Sequence, residues 1–330
     1  MPTTRRPTTP EIRDFLADYG IAPIHLDARV LRGGADNLNI LLAGASTPLV
    51  LRCYNVTEPA EVLWELELVR FLCQGGFPTP AVVERLDGQL LAPLGGRVAA
   101  LFRYVPGEHP PRTARWAGTR VAVAVGALHR LTEGFPAPPR RARTDLQRLR
   151  QFREAMRATA SRDPDTLWLL REVEARLAWY DSHQVDLAEL PRGVVHHDAH
   201  AGNVLFAPNR RLVALLDFDE AYEDCLITDL GRLLRLWGTA GDGGALVASR
   251  VWRIVNAYEN KRPLSPTERH WLPEFTLLTS LADVAEYATP RLPAGGALSG
   301  SSSYATYRLL LSDTRWRGAL DPYPAYDDME

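Results

Sequence analysis

Apolar and polar positions follow two different rhythms along this 330-residue chain. Near the start, Ile12, Phe15, Leu16 and Tyr19 recur at helical spacing behind Thr9 and Pro10, which supply an N-cap and a first-turn proline, and Gly20 marks the stop. From 28 to 104 the pattern changes. Apolar segments over 28–31, 39–42, 49–54, 81–85 and 98–104, bounded by Gly, Asn, Asp or Pro, predict strands. A single helix over 59–74, closed by Gly75 and Gly76, interrupts them. Strands with one inserted helix predict a small, mainly antiparallel α+β lobe.

Pro106 and Gly107 punctuate the chain, and helical spacing dominates beyond them, over 113–132, 146–159, 164–183, 229–237, 245–258, 266–288 and 304–315. Inside this helical half lies an island of strands at 193–197, 204–206 and 212–218. The stretch 137–144 is rich in Pro and Arg and 292–303 in Gly and Ser, so both read as loops. The resulting division is an N-terminal lobe over 1–105 and a C-terminal lobe over 106–330.

Composition narrows the class. With 46% hydrophobic and 24% charged residues the chain is globular rather than disordered. The apolar run 121–128 is interrupted by Gly126 and falls short of the ~18 residues a membrane span needs. Arg5 and Arg6 have no apolar segment behind them, so no secretory signal is expected and a cytoplasmic location is. A net charge of -2 offers no excess for a polyphosphate backbone, which argues against nucleic acid as a partner. Cys53, Cys73 and Cys225 lack paired spacing and read as reduced packing residues. Of 38 basic residues all but Lys261 are arginine, so chemistry usually done by lysine falls to arginine or to Lys261.

The island carries the candidate chemistry. His196-His197-Asp198-Ala199-His200-Ala201-Gly202-Asn203 has the form H-x-D-x-x-x-x-N, and Asp217 closes a later strand, an arrangement used for phosphoryl transfer. Asp198 would orient the attacking hydroxyl and accept its proton. Asn203 and Asp217 would offer the hard oxygen ligands that Mg2+ requires, and Asp219 is either a further metal contact or a solvated acid. His196 reads as a structural residue of the loop. A zinc site through His196 and His200 is the rival reading, but no further Cys/His cluster offers the remaining ligands. Glu65 shares a helix face with Leu68 and Leu72 at i, i+3 and i+7. A carboxylate in an apolar stripe needs a partner, and Arg52 is the natural one.

With these motifs the chain resembles the aminoglycoside phosphotransferase and choline kinase superfamily, which has a two-lobed protein-kinase-like α+β fold. Gly33-Gly34-Ala35-Asp36-Asn37 is similar to that family's nucleotide-covering loop, and Leu49-Val50-Leu51-Arg52 to the strand bearing its phosphate-binding cation, where the family commonly has lysine. The helix containing Glu65 and the following Phe77-Pro78-Thr79-Pro80 match its N-lobe helix and strand entry, and Leu128-His129 its helical Leu-His pair. The segment 101–107 resembles the hinge over which adenine stacks, which implicates Phe102, Arg103, Tyr104 and Val105 in nucleotide binding. Asp229-Leu230-Gly231 resembles the structural Asp beyond the metal site. The likeness covers roughly 25–240. Over 65–136 it is nearest to type II homoserine kinases, whereas His200 and Gly202-Asn203 look more like antibiotic phosphotransferases.

The resemblance implies transfer of the γ-phosphate of ATP, with GTP also compatible, to a hydroxyl of a small molecule, assisted by Mg2+. The acceptor is expected to be an antibiotic or other amine-bearing metabolite, since 217–229 holds six acids and no basic residue. A homoserine-type amino alcohol is the alternative. A nucleotide-binding pseudokinase, a zinc-dependent hydrolase and a protein kinase rank below. Against the last, only a short stretch separates Asp217 from Asp229.

Overall fold

The computed structural model describes residues 5–31, 37–44, 47–55, 58–111, 114–136, 144–159 and 163–320. In chain order the elements are α1 (Thr9–Ala17), β1 (Asp27–Val30), β2 (Leu38–Ala43), β3 (Leu49–Cys53), α2 (Pro59–Gln74), β4 (Val82–Val83), β5 (Ala92–Leu94), β6 (Arg97–Arg103), α3 (Ala117–Leu131), α4 (Asp145–Thr159), α5 (Pro164–Ser182), α6 (Gln184–Leu187) and β7 (Arg192–Val195). They continue with β8 (Val204–Phe206), β9 (Leu212–Leu215), β10 (Tyr222–Cys225), α7 (Ile227–Trp237), α8 (Ala248–Glu259), α9 (Pro266–Ala288), α10 (Ser302–Ser312) and α11 (Arg315–Gly318). No helix among the described residues is long and apolar enough to cross a membrane.

These residues form two compact units. One runs to His109 and also holds Gly202–Asp219; the other holds the described parts of Pro110–Ala137, Arg141–Ala201 and Glu220–Glu330. The first unit is built on an antiparallel sheet of order β1-β2-β3-β6-β4, with β5 also paired to β6. Its helix α1 is fixed by a reciprocal Thr8–Glu11 capping box with proline in the first turn, and Ile12, Phe15 and Leu16 pack into a core with Ile40, Leu42, Leu51 and Leu101. Alternation along β3 assigns the two faces. Leu49, Leu51 and Cys53 enter that core, while Val50 and Arg52 line a cavity.

The division after 105 drawn from the sequence differs from the unit's extent, and backbone hydrogen bonds explain why. Glu108 and Phe206 exchange N–H to O bonds of 2.9 Å each, and Leu215 N–H donates to Pro78 O at 2.8 Å. The β8–β9 hairpin is thereby stitched to the first unit. Gly107 permits the close passage, since a Cβ there would lie 2.9 Å from Val213 Cγ2 and 3.0 Å from Leu205 Cβ.

In the second unit the 23-residue α9 starts from a Ser265–Glu268 capping box and buries Leu272, Phe275, Leu278 and Leu281. It packs against α7, α4 and α10, and α3 packs against α8. β7 pairs antiparallel with β10.

Several elements depart from the sequence reading. β5 forms despite Pro93 inside it, as a three-residue strand paired only to β6. β10 carries the polar sequence Tyr-Glu-Asp-Cys, and α6 is a single turn. Strand 193–197 ends at Val195 because the next two backbone N–H groups turn to Asp229. Strand 212–218 ends at Leu215, since Leu216 N–H goes to Asn203 O and Asp217 is left-handed at φ 65°. Of the two expected loops, 137–143 lies outside the described residues, and 292–303 contains a 3-10 turn over Leu292–Ala294 and the start of α10.

Candidate active site

The first unit contains a cavity of about 280 Å3, near the small end of ligand sites. Residues anticipated from the sequence meet there: Arg52 from β3, Glu65 from α2, Phe102 to Val105 from the end of β6, and Asn203 and Asp217 flanking the β8–β9 hairpin. Apolar lining comes from Leu31, Val50, Leu205 and Leu216, none of which the sequence singled out. The end of β6 is fixed by Arg103 N–H to Ala81 O and Tyr104 N–H to Pro48 O. Gly33 and Gly34 lie outside the described residues.

Arg52 is the electrostatic centre of this cavity. It is 8% exposed, and Nη2 donates to Asp217 Oδ1 at 2.5 Å and to Asp219 Oδ2 at 3.1 Å. Asn37 Nδ2 also donates to Asp219 Oδ2, at 3.0 Å. Burial works against the charge on Arg52, but Glu65, the strongest of its charged neighbours, together with Asp217 and Asp219 holds the guanidinium protonated well beyond its ordinary range. Glu65 is 5% exposed, and it accepts the Tyr54 hydroxyl at 3.4 Å. Tyr54, which the sequence did not flag, lies under the guanidinium with its ring centroid 5.0 Å away.

One cation against three carboxylates leaves negative charge over. Burial first and the Asp217 carboxylate second push Asp219 up to about 8, more than Arg52 can offset. Asp217 is held in the left-handed region, where a non-glycine residue carries strain. Asn203, 8% exposed, ends a 3-10 turn over Ala201–Asn203. Two carboxylates with excess negative charge and a nearby amide oxygen are a donor set suited to a hard divalent cation. Among the described residues no group of three or more His, Cys, Asp or Glu forms a metal-binding cluster. His196 and His200 lie on an extended loop, not on a helix face.

The second unit presents Asp198. Both carboxylate oxygens of Asp229, in the first turn of α7, accept backbone N–H groups, from His196 and His197, at 2.7 Å each. His129 Nε2 lies 3.1 Å from Asp229 Oδ2, and its Nδ1 lies 2.7 Å from the Tyr258 hydroxyl. Burial disfavours the Asp229 charge, but these donors outweigh it and the carboxyl stays below its ordinary range. His196 Nδ1 accepts the Asp198 N–H at 3.2 Å. Trp237 Nε1 donates to Ala199 O at 2.9 Å. Asp198 itself is 40% exposed, with Oδ2 3.6 Å from His200 Nε2. A fixed backbone thus carries an accessible carboxylate.

A further network beneath the loop was not found from the sequence. His197, left-handed at φ 68°, places Nε2 3.0 Å from Asp145 Oδ1. Arg232 bonds Asp145 at 2.7 Å and also pairs with Asp283. The available signal was a charge on an apolar helical stretch, as at Asp283 within Leu281-Ala282-Asp283-Val284-Ala285, the kind that pointed to Glu65. The acids of 217–229 are engaged as well: Asp217 and Asp219 with Arg52, Glu220 with Arg148, Glu223 with Arg192, Asp224 with the Cys225 N–H and Asp229 with the loop. Their number alone therefore says nothing about an amine on a ligand.

Comparison with known proteins matches residues 27–264 to the phosphotransferase enzyme family. A homoserine kinase of Caulobacter sp. (strain K31) is 29% identical over 296 residues, covering 84% of this chain and 87% of its own length. A homoserine kinase of Gluconacetobacter diazotrophicus is 31% identical over 268 residues, covering 79% and 80%. Among solved structures, an aminoglycoside phosphotransferase from Alicyclobacillus acidocaldarius superposes with a TM-score of 0.67 at 16% identity, covering 97% of this chain and 96% of its own. An amicoumacin kinase solved with AMP-PNP and Ca2+ gives a TM-score of 0.63 at 17% identity, covering 96% and 94%.

Proposed function

Because the chain belongs to the phosphotransferase enzyme family, we propose that it transfers the γ-phosphate of ATP, with Mg2+, to the hydroxyl of a homoserine-type amino alcohol or amino acid. That it is a small-molecule kinase acting on an alcohol group, with the protein-kinase-like α+β fold, follows from its relatives and structural neighbours. The single observation that carries the finer reading is Arg52 and Asp217, paired in a cavity with apolar lining, with Asp219 as a second carboxylate on Arg52. Such a site pairs a flat apolar surface for a base with charges for a polyphosphate and its cation.

In this reading adenine stacks at Phe102 to Val105 between apolar side chains, and Asn37 and Arg52 serve the phosphates with the loop of Gly33 and Gly34. Asn203, Asp217 and Asp219 would hold the divalent cation, which would supply charge neutralisation on the transferred group. Asp198 orients the acceptor hydroxyl and takes its proton as the oxygen attacks phosphorus in line and the bond to the leaving ADP oxygen breaks. Catalysis then comes mainly from positioning and fixed charge. Asp229 and Trp237 keep the loop backbone in place and touch no reactant.

The homoserine relatives at 29–31% identity over about four-fifths of the chain favour the amino-alcohol acceptor. The antibiotic kinases resemble the chain at the level of fold alone. ADP release should be measured with Mg2+, ATP and a panel of L-homoserine, simple amino alcohols, aminoglycosides and neutral sugars. L-Homoserine or an amino alcohol is expected to drive turnover, and turnover confined to aminoglycosides or neutral sugars would contradict the reading.

A further inference from the structure

Helix α7 supports the Asp198 loop at Asp229, Arg232 and Trp237. Arg235 lies one turn beyond Arg232 on the same helix. The two arginines differ in how they are neutralised. Arg232 pairs with both Asp145 and Asp283. Among the described residues Arg235 pairs with Asp283 alone, a carboxylate it must share with Arg232. Its side chain is 15% exposed against 5% for Arg232, and its buried Nε, like that of Arg232, has no hydrogen-bond partner there. A planar guanidinium offers five donors. This one has half a carboxylate to face.

Burial pushes the charged form of Arg235 down, with Asp283 opposing and Arg232 adding to the effect, and the Asp198 carboxylate lies close enough to act on it. Arg232, more deeply buried, moves the other way because Asp283 and Asp145 over-compensate its burial. The second unit therefore holds an under-neutralised guanidinium near the carboxylate assigned to the acceptor hydroxyl. An anion arriving with the acceptor would complete it.

We propose that Arg235 binds a carboxylate of the phosphoryl acceptor, so that the substrate is a hydroxy acid whose hydroxyl reaches Asp198 while its carboxylate is held by Arg235. This rests on the kinase reading above and sharpens it: an amino alcohol lacking the acid group would be a poor acceptor. A guanidinium recognises a carboxylate through paired, charge-assisted hydrogen bonds, which a neutral amide of the same shape does not reproduce.

The test is kcat/KM for L-homoserine and for L-homoserine amide at saturating ATP and Mg2+, in the wild type, Arg235→Gln and Arg235→Lys, with thermal melting to confirm folding. Asp283 keeps Arg232 as its partner in both variants. The wild type is expected to favour the acid over the amide by about 100-fold, the order expected when a hydrogen bond to a charged group is lost. In Arg235→Gln the ratio should collapse to about threefold or less, chiefly through KM for the acid, and Arg235→Lys should fall between. Equal loss for both acceptors in a folded Arg235→Gln, or a wild type that does not discriminate, overturns the assignment of Arg235 while leaving the kinase reading intact. A wild type that phosphorylates neither compound but does phosphorylate an acceptor without an acid group overturns both the assignment of Arg235 and the homoserine-type acceptor.

Discussion

Around Arg52 three carboxylates, Glu65, Asp217 and Asp219, act on one guanidinium; around Arg232 and Arg235, two carboxylates, Asp145 and Asp283, are shared by two. Both clusters are buried, yet their protonation is driven in opposite directions. Burial and Asp217 raise Asp219 to about 8. Asp145 and Asp283 resist burial and stay below the ordinary carboxylate range, Arg232 being the main cause in each. The first cluster lines a cavity and carries excess negative charge, a ready seat for a cation. In the second, Arg232 is neutralised by Asp145 and Asp283 and holds His197 in place, while Arg235 is left with only a share of Asp283. The same residue types thus leave carboxylates short of a cation in one unit and, in the other, a support with one guanidinium short of an anion, and the local balance of charge tells them apart.

The sharpest way to break this contrast is to remove carboxylates assigned to chemistry. Asp217→Ala should abolish Mg2+-dependent turnover, while Asn203→Ala should leave a remnant, because other oxygens replace a neutral amide more readily than a carboxylate. Asp198→Asn should fold normally and lose ~10² to 10⁴ in rate as the proton acceptor disappears. Magnesium titrations and kcat values check all three, and small, equal effects for Asp217 and Asn203 would dissolve the cation site.

Arg52→Ala comes next. Three carboxylates would lose their shared cation, so KM for ATP should rise, kcat fall, and stability drop by about 3–5 kcal/mol, as when a buried pair is broken. Arg52→Lys should lie between this variant and the wild type, because an ammonium is a compact point charge where a guanidinium is a planar fork. Normal ATP binding by Arg52→Ala would reduce β3 to scaffold.

Opposite signs are expected from one isosteric change made in each cluster. Asp283→Asn should lower stability by about 3 kcal/mol, because it strips the carboxylate shared by Arg232 and Arg235. Asp219→Asn should raise the stability of the cation-free protein slightly, by about 1 kcal/mol, since it relieves the cost of burying an ionisable carboxyl beside Asp217. Urea denaturation of both variants reads the difference; destabilisation of similar size in both would erase it.

How much of this was legible in the sequence depended on whether the signal was local. The Asp198–Asn203 spacing and Asp217 are set by a short strand-loop-strand segment, and Glu65 announced itself as a charge on an apolar helical face. Asp145, Arg232 and Asp283 come from three helices far apart in sequence, so only packing makes them partners of His197. The same limit applies to strands: β10 has no apolar alternation and forms because β7 offers it a register from Tyr222↔Val195 to Cys225↔Arg192. Counting acids over 217–229 could not show how those acids are engaged, because their arginine partners, Arg52, Arg148 and Arg192, lie outside that stretch.

The smallest effect concerns pH. Asp145, Asp229 and Asp283 are all lowered on folding, so the unfolded chain binds protons first as pH falls. Their contribution is complete above the unfolded carboxylate value of about 4 and is lost progressively below it. Urea midpoints should therefore decline below about pH 4, less steeply in Asp283→Asn; an equal slope in that variant would remove Asp283 from the set.

The most direct test of the central claim follows phosphorus itself. In 31P NMR of the wild type with ATP and L-homoserine, a phosphomonoester resonance should grow in step with ADP only when Mg2+ is present, and Asp217→Ala should show neither signal. Phosphate release from ATP that ignores the acceptor, or transfer that persists in Asp217→Ala or without a divalent cation, would contradict the account.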